Sequence, residues 1–110
     1  MLDLRLYMAQ RISALIMVPL VIGHIAVMIY AIQGGLTSTE ILARTKGSIG
    51  WFLFYGTFVL AVSIHGAIGL RVILSEWLRL RGLALAILGW AIFSGLFYLG
   101  ARAVLAVTFA

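Results

Sequence analysis

Three apolar runs, each long enough at 1.5 Å per helical residue to cross a hydrocarbon core of about 30 Å, confine this chain to very few architectures. They extend from Ile12 to Ile32, from Ile49 to Leu74, and from Leu83 to about residue 104. Lipid offers no water to a backbone, so a span must satisfy its own N–H and C=O groups, and segments of this length do so as α-helices. The sequence therefore predicts an all-α membrane protein, a single domain over residues 1–110 with three transmembrane helices. Composition agrees: hydrophobic residues make up 65% of the chain and charged residues 10%. A soluble domain of 110 residues with that balance would expose large apolar patches.

The first run follows Arg5 and Arg11, as the core of a signal peptide would. It is longer than the roughly 7–15 residues of such a core, and no small-residue cleavage site ends it, so it reads as a retained span. Between the first two runs, Gln33 to Ser48 is polar and punctuated by glycine. Within it, Thr37-x-x-Glu40 ahead of Ile41-Leu42-Ala43 has the form of a capping box opening a short surface helix. The second connection, Ser75 to Gly82, carries Glu76, Trp77, Arg79 and Arg81 and reads as a tight hairpin at the membrane surface.

Loop cations set the expected orientation. Arg5, Arg11, Arg71, Arg79 and Arg81 lie on the side of the N-terminus, against Arg44, Lys46 and Arg102 on the other. The positive-inside rule then places the N-terminus in the cytoplasm and the C-terminus outside, in a multi-pass protein of the cell inner membrane. The net charge of +5 reports topology and contact with anionic membrane lipid, with no nucleic-acid partner implied. Cysteine is absent, so the chain brings no disulfide, thiolate-bound metal or iron–sulfur cluster of its own. Any redox centre here must be held by histidine.

Two histidines, His24 and His65, sit inside the first and second spans. An ionisable ring in hydrocarbon is costly, which makes each a candidate ligand; the plainer alternative is a ring hydrogen-bonded to a neighbouring helix or lining a water site. His24 lies about 20 Å along a helix from Arg11, and His65 about 9 Å from Arg71, which enters the membrane from the same side. The two rings should therefore differ in depth by about 10 Å. Axial ligands of one haem iron must both touch it, so this stagger argues against the pair clamping a single haem, and each supplies half of a separate site. Ala61, His65 and Gly69 share one helix face, against which a flat macrocycle or simply another helix could pack. Pro19, shortly before His24, would free a carbonyl and bend the first span, or serve ordinary helix packing.

The segment Gln10-Arg11-Ile12-Ser13-Ala14 with His24 downstream, followed by His65-x-x-x-Gly69-x-Arg71-x-x-x-x-Glu76-Trp77, resembles the membrane-anchor (cytochrome b) subunits of succinate dehydrogenase and fumarate reductase. The second block is the more specific: that family has a haem-ligating histidine in the second span, a glycine four residues on and an acidic residue eleven on, often with an aromatic following. In the first block Ala14 replaces the family's glycine, and Tyr7 and Trp77 stand where a serine and a tyrosine are common.

The resemblance implies a non-catalytic subunit of a respiratory enzyme complex of the tricarboxylic acid cycle. Such a subunit docks an iron–sulfur subunit and a flavoprotein subunit and exchanges electrons with quinone. It implies haem b, one or two, shared with a second membrane-anchor subunit, with His65 as axial ligand and His24 as ligand of a second haem in the two-haem build. Arg71 would pair with a haem propionate or anchor the helix end. The quinone contacts would come from Arg11, Ser13, Glu76 and Trp77, or these groups would be interfacial anchors. Two alternatives remain open: a haem-free structural anchor of the same family, and a pigment-binding antenna subunit, against which the three spans and the Glu76 motif argue.

Overall fold

A computed structural model describes residues 3–109. Four helices follow in chain order: α1 (Leu4–Gly34), α2 (Ser38–Thr45), α3 (Ile49–Trp77) and α4 (Gly82–Thr108). Among the described residues there is no strand. The helices α1, α3 and α4 are each long and apolar enough to span a membrane, so the chain is a multi-pass membrane protein. Helix α1 begins eight residues before its apolar run, taking in Arg5, Gln10 and Arg11, and α3 continues past its run through Ser75, Glu76 and Trp77, because backbone hydrogen bonding continues after side-chain apolarity ends. Helix α1 passes Pro19 without interruption. The molecule measures 47 × 24 × 22 Å, a long axis that covers the hydrocarbon core and both interfaces.

The helix starts follow from local chemistry. Asp3 caps α1 by accepting from Leu6 N at 2.9 Å. Thr37 caps α2 by accepting from Glu40 N at 3.2 Å, the first half of the expected capping box, and Ser48 caps α3 by accepting from Trp51 N at 3.2 Å. Gly35, at φ 117°, makes the turn between α1 and α2, and a Cβ there would run into the Glu40 carboxylate. The hairpin between α3 and α4 is as tight as the sequence implies: Arg79 adopts φ 57°, Leu80 N bonds back to Leu74 O at 3.2 Å, and Gly82 opens α4 at φ 64°.

The short helix α2 is fastened to the far end of α4. Thr45 Oγ1 lies 2.7 Å from Val107 O and 3.1 Å from Ile41 O, and Gly47 N donates to Thr108 O. These bonds occupy carbonyls in the last turn of α4 that have no partner within their own helix.

Helix α3 is central, packing on α1 along one side and on α4 along another. Close approach rests on small residues. A Cβ at Gly100 of α4 would fall on the Val59 side chain of α3, and one at Gly66 would meet Leu96 at 3.3 Å. Ala61, Ala67 and Ser63 are buried, and Ser63 returns its hydroxyl to Val59 O at 2.7 Å, so no polar atom of it faces lipid unpaired. Much of α1 is open by contrast: Leu15 is 71% and Ile22 64% exposed, and Ser13 is its one buried residue among those described.

Candidate functional site

Gln10, Ser13 and His24 occupy one face of α1, since residues 13 and 24 differ by only about 20° around a helix turning 100° per residue. That face meets α3. Ser13 is 4% exposed, and its Oγ lies 3.0 Å from Gln10 O and 3.4 Å from His65 Nδ1. One turn nearer the N-terminus, Gln10 Nε2 comes within 3.6 Å of where a Gly69 side chain would begin. The face carrying Ala61, His65 and Gly69 is therefore filled at His65 and Gly69 by polar side chains of α1, the helix-packing use of those small residues.

His24 belongs to a different level. Its ring meets Phe58 edge-on at 5.1 Å and Tyr55 at 6.3 Å between centroids. Residues 13 and 24 are about 16 Å apart along α1, and 58 and 65 about 10 Å apart along α3, so the stagger expected from the arginine anchors is present. A largely apolar cavity of about 380 Å³ opens beside the ring, bounded by Tyr55, Phe58 and Ser63 of α3 and Leu96, Gly100 and Val104 of α4.

The other expected site residues divide by helical phase. Two residues along a helix is about 200° of rotation, so Arg11 points away from Ser13. Arg11 is exposed, donates to Tyr7 Oη at 3.3 Å and lies 5.7 Å from the centre of the Tyr7 ring. Glu76 and Trp77 are exposed at the end of α3, Trp77 by 79%. Ser13 is not grouped with these three: it is turned inward onto His65. Arg71 lies about 120° around α3 from His65. It faces α4, where its guanidinium runs over Gly89 and lines a second cavity of about 400 Å³ with Ala86, Trp90 and Phe93.

Whether the histidines suit a haem is decided by their second ring nitrogens, because a ligating imidazole normally has its other N–H held by an acceptor. A serine hydroxyl has one proton. Donated to the Gln10 carbonyl, the shorter of its two contacts, it leaves an oxygen lone pair toward His65 Nδ1. Among the described residues, the sealed side-chain polar atoms without a partner are Gln10 Oε1 and His24 Nδ1; His65 Nε2 is not one of them. His65 therefore has a buried hydroxyl beside its Nδ1, as a ligating imidazole would need, whereas His24 Nδ1 has no partner among the described residues. No cluster of three or more acidic, histidine or cysteine side chains able to hold a bare metal ion occurs among the described residues.

Sequence reasoning quoted Gln10 only as the start of a motif, with no role, and did not single out Tyr55 or Phe58. Gln10 was legible, as an amide in phase with Ser13 and His24 on an otherwise apolar helix. The aromatic pair was not, since Tyr55 and Phe58 are two of five aromatics crowded into the first turns of α3.

No curated protein and no solved structure matches the chain. The family model for the succinate dehydrogenase/fumarate reductase transmembrane subunit matches residues 2–109, nearly its whole length. With three spans and the motif residues of the first two spans brought together at Ser13 and His65, the chain belongs to the family of succinate dehydrogenase/fumarate reductase transmembrane subunits.

Proposed function

We propose that this chain is a haem b-binding membrane anchor of a succinate:quinone oxidoreductase, one of two such anchors in its complex. The observation that carries the reading is His65: an imidazole within a span, its Nδ1 beside a buried serine oxygen and its Nε2 free to ligate. A partner anchor would contribute the second axial imidazole, since His24 is too far away in depth to do so. A haem b held there would supply one-electron transfer.

The chain's own residues hold and orient. Ser13, its hydroxyl held by the Gln10 carbonyl, orients the His65 ring, and Gly69 leaves room for the Gln10 side chain of α1 beside α3. Arg71, over Gly89 and away from the His65–Ser13 contact, is placed better to anchor α3 at the headgroups than to pair with a propionate. Arg11, Glu76 and Trp77 are exposed at the end of the bundle expected to face the cytoplasm, where quinone headgroups and an iron–sulfur subunit would approach. They are the polar and aromatic groups proposed to line the quinone pocket and the docking surface for the flavoprotein and iron–sulfur subunits in the cytoplasmic membrane.

The test is His65→Leu in the assembled complex, followed by reduced-minus-oxidised spectra and pyridine-haemochrome content. Loss of a low-spin b-type signal, or its conversion to high spin, is expected. Unchanged spectrum and content would return the chain to a haem-free anchor.

A second reading gives His24 its own haem nearer the opposite surface. It is favoured by a ring nitrogen with no partner among the described residues and by the depth separating it from His65.

A further inference from the structure

We propose that Ser13 is a positioning residue for His65, holding the imidazole in its Nδ1–H form so that Nε2 is presented as the ligand. The proposal rests on the haem reading for its purpose, and on the geometry of two contacts for its mechanism. Ser13 Oγ lies 3.0 Å from the carbonyl oxygen of Gln10 and 3.4 Å from His65 Nδ1. A hydroxyl donates once, and a carbonyl can only accept, so the Gln10 contact directs the Ser13 proton backwards along α1. What remains toward His65 is an oxygen lone pair, which can be met only by an N–H.

Burial makes this arrangement selective. Ser13 is 4% exposed, so water does not compete for the same oxygen. The reversed arrangement, with Nδ1 bare and Ser13 donating to it, would leave the Gln10 carbonyl without the hydroxyl and put the ring proton on Nε2, the nitrogen that a metal needs free. In water the Nε2–H form of a neutral imidazole predominates, so the chain works against an intrinsic preference, and the hydrogen bond on the other nitrogen decides the tautomer. A hydrogen bond accepted from Nδ1–H also makes the imidazole a stronger donor through Nε2, which favours the oxidised state of a bound iron. Ser13 thus differs in role from Arg11, its neighbour in the same motif, which is exposed and turned to Tyr7.

Two measurements on Ser13→Ala and Ser13→Thr separate this proposal from the haem reading beneath it. The first needs no haem. The full chain contains only two histidines, so ¹⁵N-histidine labelling in lipid bilayers gives two ring-nitrogen pairs, assigned with His24→Asn. In the parent chain the His65 signals should be those of the Nδ1–H form; Ser13→Ala should move them to the Nε2–H form, and Ser13→Thr should restore them. Identical His65 signals in parent chain and Ser13→Ala, or an Nε2–H form in the parent chain, would overturn the proposal. The second measurement is made on the assembled complex, where Ser13→Ala should shift the midpoint potential of the His65 haem to more positive values and weaken haem retention by about tenfold or more, with Ser13→Thr close to the parent. A complex that contains no haem while the tautomer still follows Ser13 would refute the haem reading and leave the Ser13–His65 device standing. A potential and retention unchanged in Ser13→Ala would refute the positioning role.

Discussion

Gly100 shows what single atoms decide in this bundle. With no side chain of its own it lets α4 lie against Val59, and a Cβ there would overlap the valine. Gly100→Val should therefore force α3 and α4 apart, destabilising the fold by about 1–3 kcal/mol as overpacking does; a lowered thermal midpoint in detergent checks it. An unchanged midpoint would mean the contact yields freely. His24 is decided at the same scale. If it ligates a second haem, redox titration of the intact complex should resolve two b-type components, and His24→Leu should lose one of them while the His65 component persists. One component, retained in full by His24→Leu, would leave His24 as a ring packed between Tyr55 and Phe58.

Among the elements, α2 is the one whose stability is borrowed. Eight residues are too few to hold a helix in isolation, and its attachment to α4 through Thr45 and Gly47 supplies what length does not. Thr45→Val keeps the shape and removes the hydroxyl, leaving a Val107 carbonyl short of a partner at a cost of about 1 kcal/mol. Faster backbone hydrogen exchange over residues 38–47, with α3 and α4 unaffected, is the expected result. Arg44 adds a separate fastening, its guanidinium lying 5.1 Å from the centre of the Tyr30 ring at the end of α1. Together these contacts close the end of the bundle above the His24 cavity, whose lining includes Ile41 and Thr45.

Across the whole molecule, α3 packs against both α1 and α4 while α1 is mostly open, and the apolar side chains left exposed suit a lipid surface. The orientation rests on the excess of arginine at the N-terminal end. Because the chain has no cysteine, it can be read directly: Ser38→Cys and Arg81→Cys, both at exposed positions, should be labelled by a membrane-impermeant reagent from opposite sides. Labelling of Ser38→Cys from the outside and of Arg81→Cys only from the cytoplasm is expected, and the reverse pattern would invert the topology.

Sequence alone determined the number of spans, the surface helix with its Thr37 cap, the tight hairpin and the difference in depth of the two histidines. Each follows from chain-local quantities: apolar length against membrane thickness, side-chain capping, and rise per residue. Tertiary structure decided which faces meet. Arg11 and Ser13 are neighbours in one motif, yet rotation of 200° places one at the surface and the other on His65. Arg71 and His65 share a helix, yet one faces α4 and the other α1. In a chain that is apolar on nearly every side, hydrophobic periodicity does not announce the inward face, because lipid accepts what a core would accept. Small residues and hydrogen-bonding partners on adjacent helices settle it, and these become visible only when the helices are packed.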